Sequence, residues 1–257
     1  MVFDRKLGDA FKKSSLEYHT SRRGYPDALF SDIINISKIN IKSNILDVGC
    51  GSGLSTLPLA NKGYSIIGID ISEELIKIAR GNAKNNNPQY ILAPFEDYDF
   101  QNSSFDLIIS GQAFHWLDEK IAYSKCAKIL NSIGYLAIFA KFNDYKKSTF
   151  LSDLKKIFTD NCNYYPDGLH QDDYIEDYLK EIKQTNLFTD IQSKKYTYFL
   201  EYDLESYRTY ILSNSWVMKL NNEQKINIMK KIDSLLLKFK WPMKIPFGAA
   251  LIMAKIK

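Results

Sequence analysis

Three glycines at alternate positions carry the strongest chemical signal in the sequence. Gly49, Gly51 and Gly53 follow Asp47 directly after a short apolar run, and Cys50 lies between the first two glycines. Glycine lets the chain turn tightly and lets a ligand approach the backbone without meeting a Cβ atom. A helix that begins just after such a loop adds free N–H groups to the same place. The pattern predicts either a tight turn or a loop that binds a ligand through its backbone.

A carboxylate, Asp70, ends the next apolar run, 21 residues after Gly49. In doubly wound nucleoside sites, an acidic residue at this place accepts hydrogen bonds from ribose hydroxyls. An aspartate alone could equally cap a helix, but together with the glycine loop it favours a nucleoside-type ligand. The nicotinamide dinucleotide fingerprint would need a third glycine at position 54, where the chain has Leu54, so that cofactor is the weaker interpretation.

A histidine and a tryptophan follow the fourth apolar run, close to Gln112. Ligands of open α/β sheets bind outside the carboxyl ends of the strands, so this segment is predicted to face the reacting group. His115 has two open roles: it takes a proton from or contacts a bound ligand, or it is a structural side chain packed on Trp116. Cys50 is predicted to be a small packing residue, because no partner motif for a cysteine nucleophile accompanies it.

The elements that must position these residues alternate as βαβ units around a parallel sheet. Ser55 and Ser72 are expected to cap the first two helices of the units. The predicted strands cover residues 45–48, 65–70, 90–92, 105–110 and 134–139, and the predicted helices cover about 55–62, 73–83 and 119–130. After Phe142 the pattern changes to helical segments at 145–185 and 203–238, a strand-like stretch at 196–200, and a closing β-rich segment at 245–256.

The composition is that of an ordinary globular chain. Of the 257 residues, 45% are hydrophobic and 25% are charged, which excludes disordered, collagen-like and coiled-coil proteins. The net charge of +4 is small and the lysine pairs are scattered, so nothing requires a nucleic acid partner. The three cysteines suit neither a disulfide framework nor a metal site. With no signal peptide and no apolar run near the ~20 residues of a membrane span, we expect a cytoplasmic protein that needs no membrane.

The glycine loop, Asp70 and the order of strands resemble the class I S-adenosylmethionine-dependent methyltransferases, in particular the methyltransferase type 11 group. Residues 93–97, 104–108 and 129–136 are similar to the family's segments around the third, fourth and fifth strands. The resemblance implies an α/β fold with a doubly wound, mostly parallel, seven-stranded Rossmann-like sheet whose last strand is antiparallel. It also implies one domain over residues 1–257, with a core of about 28–142, 186–200 and 245–257 and a helical cap of about 1–27, 145–185 and 203–240.

The same resemblance implies how S-adenosylmethionine is held and its product S-adenosylhomocysteine released, without a metal. Residues 18–26 are similar to a segment of trans-aconitate methyltransferase-like enzymes in which a tyrosine and an arginine close over the methionine end of the cofactor. The acidic residue that often meets adenine would fall near Pro94, so neighbouring groups are considered instead. The implied cofactor-binding residues are Tyr18, Arg22, Asp47, Gly49, Cys50, Gly51, Gly53, Asp70, Ile71, Phe95, Glu96 and Gln112.

The implied reaction is methyl transfer to a small-molecule acceptor by a monomer or homodimer. A carboxylate acceptor is already ionised at neutral pH and needs no general base, which suits a site with few bases. We therefore favour a carboxylate oxygen, with Trp116, Tyr207 and Arg208 as candidate contacts, although Arg208 could equally be a solvated or salt-bridged residue. Residues 110–113 lack the Pro-Pro-aromatic motif of base-amine methylation, which disfavours nucleic acid as the acceptor. A non-catalytic regulatory or partner protein that binds the cofactor or its product is the open alternative.

Overall fold

The computed structural model describes residues 22–84, 87–162 and 171–257 of the chain. In chain order, its strands and helices are α1 (Asp27–Ser37), β1 (Asn44–Val48), α2 (Thr56–Ala60), β2 (Ser65–Asp70), α3 (Glu73–Asn82), β3 (Gln89–Leu92), β4 (Phe105–Gly111), α4 (Glu119–Ile129), β5 (Leu130–Asn143), α5 (Thr149–Asn161), α6 (Gln171–Thr185), β6 (Phe188–Tyr202), α7 (Leu204–Leu212), α8 (Ser215–Met218), α9 (Asn222–Leu236) and β7 (Met243–Ile256). Tyr18 lies outside the described residues.

The strands form a seven-stranded sheet in the order β3-β2-β1-β4-β5-β7-β6. The neighbouring pairs among β1 to β5 are parallel, and β7 runs antiparallel to both β5 and β6. The prediction of a doubly wound, mostly parallel sheet with an antiparallel last strand is confirmed. Because the strand order reverses between β1 and β4, the carboxyl ends of these two strands border the crevice where such sheets bind ligands.

Both faces of the sheet are covered by helices. Neighbouring residues on a strand point to opposite faces, so Ile45 packs with α1 on one face while Leu46 packs with α4 and α6 on the other. The buried positions of β4 from Leu107 to Ile109 alternate in the same way. Strands buried on both sides are apolar along their whole length, which is why β1, β4 and β5 appear in the sequence as continuous apolar runs.

A separate apolar cluster, here called the cap cluster, lies beside the β6 and β7 end of the sheet. It joins α5, α7 and α9 around Phe150, Tyr207, Ile232 and Phe247. The segment 145–185, expected as part of the cap, is divided by the structure. Helix α5 belongs to the cap cluster, whereas α6 packs on the sheet beside α4, because its buried residues recur at helical spacing along one side.

Of the two serines predicted to cap helices, Ser72 does so and Ser55 does not. The Ser72 hydroxyl accepts a hydrogen bond from Leu75 N at 3.3 Å, as expected for the cap of α3. Ser55 precedes α2 but makes no capping bond, because its hydroxyl donates to the Asp47 carboxylate instead. None of the described helices is long and apolar enough to cross a membrane.

Candidate functional site

The glycine loop turns the chain from β1 into α2 and is closed by its own backbone. The amides of Gly49 and Cys50 donate to the carbonyl of Ile69, at 2.9 and 3.2 Å, and the Gly53 amide donates to the Cys50 carbonyl at 2.9 Å. Gly49 has a φ of +69°, and a Cβ there would lie 2.3 Å from the Ala113 Cβ. The loop therefore lies directly against the residues that follow β4, and only glycine allows this approach.

The carboxylate of Asp70 is held beside the loop by two backbone amides. Gly51 N donates to Oδ2 and Ser72 N donates to Oδ1, both at 2.8 Å. Burial raises the pKa of Asp70, and these hydrogen bonds oppose the shift. A carboxylate can accept about four hydrogen bonds, so two further donors can bind at the same group. This remaining acceptor capacity is compatible with the sequence prediction that Asp70 binds ribose hydroxyls, which stays a prediction.

Asp47 lies beneath the loop and is completely buried. Its Oδ2 accepts hydrogen bonds from Ser55 Oγ and Thr56 Oγ1, both at 2.6 Å, and its Oδ1 has no hydrogen-bond partner among the described residues. Burial raises the pKa of Asp47 to about 7. A buried acceptor without a partner is uncommon in folded proteins. At neutral pH Asp47 is therefore only partly ionised, and the negative character of this edge, which fits a ligand carrying positive charge, comes mainly from Asp70.

The remaining predicted residues on this side differ in accessibility. The Ile71 side chain is exposed, next to Asp70, whereas the Phe95 ring is buried in the sheet core, so Phe95 can offer a ligand only its backbone. Glu96 Oε1 accepts a hydrogen bond from Asp118 N at 3.1 Å, which ties the segment after β3 to the start of α4. The Cys50 thiol is buried, and burial raises its pKa well above the ordinary value, as expected for a packing residue.

Gln112 joins the ends of β4 and β5. Its φ is +58°, its amide donates to the Phe139 carbonyl, and its Oε1 accepts from Lys141 N, both bonds at 2.9 Å. Three residues on, the rings of His115 and Trp116 lie 4.8 Å apart between centroids. Burial lowers the pKa of His115 to about 4. The imidazole is therefore neutral at physiological pH and a weak base.

Cationic side chains gather at the other end of the same sheet edge. Lys141, near the end of β5, is only 6% exposed, and its Nζ donates to the Arg23 carbonyl. The guanidinium of Arg23 lies 5.4 Å from the centre of the Tyr202 ring, and Arg22 lies 5.4 Å from the Tyr210 ring. Of these basic residues, only Arg22 is among the residues predicted from the sequence. The available signal was a lysine inside the otherwise apolar run that forms β5.

Two residues predicted to contact the acceptor serve to hold the cap together. Tyr207 is completely buried in the cap cluster. Arg208 binds Asp233 on α9 through two hydrogen bonds, from Nε at 2.7 Å and from Nη2 at 3.2 Å. The salt-bridged interpretation of Arg208 therefore describes the structure, since the partner carboxylate on α9 occupies the guanidinium fork that an anionic ligand would use.

Arg22 also contacts the cap. Its Nη2 lies 3.3 Å from the Ser213 carbonyl and 3.5 Å from Asn214 Oδ1, between α7 and α8. The structure thus brings the glycine loop, Asp70, Gln112 and His115 to one edge of the sheet and links Arg22 to the cap above it. Among the described residues, no group of three histidine, cysteine or acidic side chains could hold a metal ion.

Comparison with known proteins places this geometry in context. Residues 46–138 match the methyltransferase domain family. The chain is similar to the ubiquinone biosynthesis O-methyltransferase of Pelagibacter ubique, with 31% identity over 195 residues that make up 75% of this chain and 74% of that protein. It is also similar to a Saccharomyces cerevisiae protein named as an S-adenosylmethionine-dependent methyltransferase, with 28% identity over 172 residues, 65% of this chain and 56% of that protein.

The chain spans about half the length of two of the curated relatives it matches, the Saccharomyces cerevisiae protein and one from Dictyostelium discoideum. Among solved structures, it is similar to a protein from Anaeromyxobacter dehalogenans named as a type II methyltransferase, with a TM-score of 0.65 and 17% identity. That likeness covers 92% of this chain and 97% of the other, and shows a shared fold.

Proposed function

Because this chain belongs to the class I S-adenosylmethionine-dependent methyltransferases, we propose that it transfers a methyl group from S-adenosylmethionine to a carboxylate oxygen of a small molecule. The observation that carries the cofactor assignment is the Asp70 carboxylate, which Gly51 N and Ser72 N hold at the end of β2 with capacity for further donors. The carboxylate acceptor is favoured because His115, whose pKa is about 4, is a weak base. The cytoplasmic location, the monomeric or homodimeric state and the extent of the domain stay predictions, as does the likeness to trans-aconitate methyltransferases.

The residues at this edge fit the cofactor. Asp70 would bind the ribose hydroxyls, the backbone of Gly51 and Gly53 would form the cradle, and Tyr18 and Arg22 are predicted at the methionine end. A Cβ at Gly53 would lie 2.8 Å from Tyr90 Oη, so the cradle has no room for a side chain. When bound, S-adenosylmethionine supplies a reactive methyl group on a positively charged sulfur. The roles of Ile71, Phe95, Glu96 and Gln112 in holding it stay predictions.

The chain's own contribution is to position the acceptor and exclude water. A carboxylate with a pKa of ~4 is ionised at neutral pH, so the transfer requires no base. This agrees with His115, whose pKa of about 4 makes it a poor proton acceptor. Correct orientation of two reactants can lower the reaction barrier by ~7–11 kcal/mol at most, so positioning the acceptor is a sufficient catalytic role for the site. His115 and Trp116 would then contact the acceptor as neutral groups.

Calorimetric titration with S-adenosylmethionine, S-adenosylhomocysteine and NAD tests the cofactor. Wild type should bind the first two, and Asp70→Ala should weaken both about 100-fold, since hydrogen bonds to a charged group contribute ~1.5–3 kcal/mol each. Asp153→Ala, which removes an exposed aspartate on α5, is the matched control and should change neither affinity. Binding of NAD alone would revive the nicotinamide interpretation, and absence of all binding in folded protein would refute the proposal.

A second experiment tests the acceptor. The protein is incubated with cofactor that carries a radioactive methyl group and with a panel of small carboxylic acids. A methyl ester releases volatile label as methanol when base is added, whereas label on nitrogen, carbon or a phenol stays with the product. Base-labile product supports the carboxylate assignment. Base-stable product, obtained when the panel is extended to amines and phenols, would correct it, and cofactor binding without any transfer would favour the non-catalytic alternative.

A further inference from the structure

We propose that Lys141 and Arg23 form the binding site for the negatively charged group of the acceptor. This inference rests on the proposed function, because it concerns the second substrate of the same reaction. It gives the site a pair of ligands that the sequence analysis did not identify. It also replaces Arg208, the cap residue expected to hold an anion, whose guanidinium is bound to Asp233.

The first support is the burial of the Lys141 amine. Lys141 faces Ala249 in the antiparallel pairing of β5 with β7, and the residues around it on both strands are apolar. Its Nζ lies about as far from the Tyr25 ring centre as from that of Phe247, 6.0 and 5.9 Å. Within the described ranges, no carboxylate comes within ion-pair distance of this amine. Burial without a counter-ion disfavours the charged form of the amine, and an anionic ligand beside it would restore that form.

The second support is the concentration of positive charge. Burial, followed by the charges of Arg22 and Arg23, lowers the pKa of Lys141 well below its usual range. Arg23 Nε is also buried and has no hydrogen-bond partner among the residues described. Groups of like charge gathered in a low-dielectric place repel one another, and an anion between them converts that repulsion into attraction.

The third support is the chemistry of the surrounding wall. The hydroxyl of Tyr198, on β6, is buried without a hydrogen-bond partner among the described residues, and its ring lies 6.0 Å from that of Phe247. Tyr202 stacks under the Arg23 guanidinium and also contacts Phe247. Aromatic rings accompanied by a few polar groups are the side chains that most often contact small organic ligands. The wall therefore suits an acceptor with an apolar body and one acidic end.

The fourth support is the position of Lys141 relative to the cofactor edge. Its backbone amide donates to Gln112 Oε1, and Gln112 precedes Ala113, which lies directly against Gly49. The proposed anion site and the glycine loop are thus separated by the few residues that follow β4. An acceptor held by the Lys141 amine would have to extend from there toward this edge, since the reacting atoms must come within about 3–3.5 Å.

A purely structural role is the competing explanation for Lys141, because its bond to the Arg23 carbonyl ties the N-terminal segment to β5. Two substitutions separate the roles. Lys141→Gln keeps a side-chain N–H that can donate to that carbonyl but removes the charge. Lys141→Met keeps the length and removes both. If the lysine is only a tie, the glutamine variant behaves as wild type; if the charge binds the acceptor, both variants lose binding.

The experiment measures anion binding to protein saturated with S-adenosylhomocysteine. Acetate, benzoate, glutarate and citrate are titrated by calorimetry, with benzamide as the neutral counterpart of benzoate. Wild type should bind at least one carboxylate and not benzamide, and both Lys141 variants should weaken that binding tenfold or more. Lys238→Met, at an exposed lysine after α9, is the control and should leave it unchanged. All variants should keep their affinity for S-adenosylhomocysteine.

The outcomes distinguish the two proposals. If wild type binds S-adenosylhomocysteine but none of the four carboxylates, the anion site is refuted and the cofactor assignment stands. Full retention of carboxylate binding by Lys141→Gln would also refute it, in favour of the structural tie. If wild type fails to bind S-adenosylhomocysteine, the proposed function fails, and this inference fails with it.

Discussion

The sheet edge that carries the candidate site has two halves, which differ in the chemical groups they present. The glycine-loop half, at the ends of β1 and β2, consists of backbone amides and the carboxylates of Asp47 and Asp70. The lysine half, at the end of β5 and the start of β7, consists of the basic side chains of Arg22, Arg23 and Lys141 among aromatic rings. One half is negative and shaped by the main chain, and the other is positive and shaped by side chains. A site divided in this way suits a positively charged donor on one side and a negatively charged acceptor on the other.

If backbone shape determines the glycine-loop half, a single methyl group should damage it most. Gly49→Ala places a Cβ 2.3 Å from the Ala113 Cβ at a φ of +69°. Because the contact is with a short side chain attached to neighbouring backbone, the main chain has to move. We expect the free energy of unfolding to fall by about 3–5 kcal/mol and binding of S-adenosylhomocysteine to be lost, measured by urea denaturation and calorimetry.

Two other glycines separate the clash from the strain of the backbone. Gly63 has a φ of +92° with no atom within 4 Å of an added Cβ, so Gly63→Ala should cost only ~1 kcal/mol. Gly81 lies within α3 without such a φ or clash, so Gly81→Ala should raise stability by ~0.5–1 kcal/mol. If Gly49→Ala were no worse than Gly63→Ala, close approach to the residues after β4 would not be what shapes the loop.

Asp47 should make the glycine-loop half less stable as pH rises. Its folded-state pKa is about 7 and its unfolded value is ~3.9, so between these values the folded state holds more protons than the unfolded state. Stability is then greatest below pH ~4 and falls as pH rises to about 7. Asp47→Asn has no such dependence, so its stability relative to wild type should increase by about 2–4 kcal/mol from pH 4 to pH 8. Urea denaturation across this range measures the difference, and a constant difference would contradict it.

Lys141 should show the opposite dependence in the lysine half. The groups that face its amine are Arg22, Arg23, the Tyr25 phenol and the uncharged Phe247 ring. Because the folded-state pKa is lowered, the unfolded state binds more protons up to pH ~10.4, and wild-type stability rises with pH. Lys141→Met should therefore exceed wild type by about 1–3 kcal/mol at pH 7, and the excess should shrink toward pH 10. An excess that grows with pH would place an unseen carboxylate beside the amine.

The difference between the two halves also explains which part of the site could be predicted from the sequence. The glycine-loop half could be predicted because its residues lie within 47–72, and residues so close in sequence are also close in the folded structure. The prediction that Ser55 caps α2 was wrong. Its hydroxyl could either cap the helix or bind Asp47, and in the structure it donates to the buried Asp47 carboxylate. The lysine half joins residues near 23, 141, 202 and 247, which only the strand order brings together. The one local signal, that Lys141 interrupts the apolar run of β5, does not show that its amine is buried, because a lysine near the end of a strand is usually solvated.

His115 lies between the two halves, and its titration shows whether the site contains a general base. With a pKa of about 4 it should not titrate between pH 6 and pH 8, and its ring NMR signals, assigned by comparison with His115→Gln, should stay constant there. Methyl transfer by His115→Gln should fall less than about tenfold, because a general base would account for ~10²–10⁴-fold. A larger loss with a rate that rises through pH 6–7 would instead assign proton removal to this residue and point to an acceptor other than a carboxylate.

The smallest effect is expected at Arg208, where the extent of the lysine half can be defined. The Arg208 and Asp233 side chains are 35% and 39% exposed, so solvent screens their attraction and Arg208→Ala should cost ~0.2–1 kcal/mol. A double-mutant cycle with Asp233→Ala should recover the same coupling in denaturation and none in carboxylate binding. If Arg208→Ala weakened carboxylate binding while Asp233→Ala did not, α7 would reach the acceptor, and the positive half of the site would extend into the cap cluster.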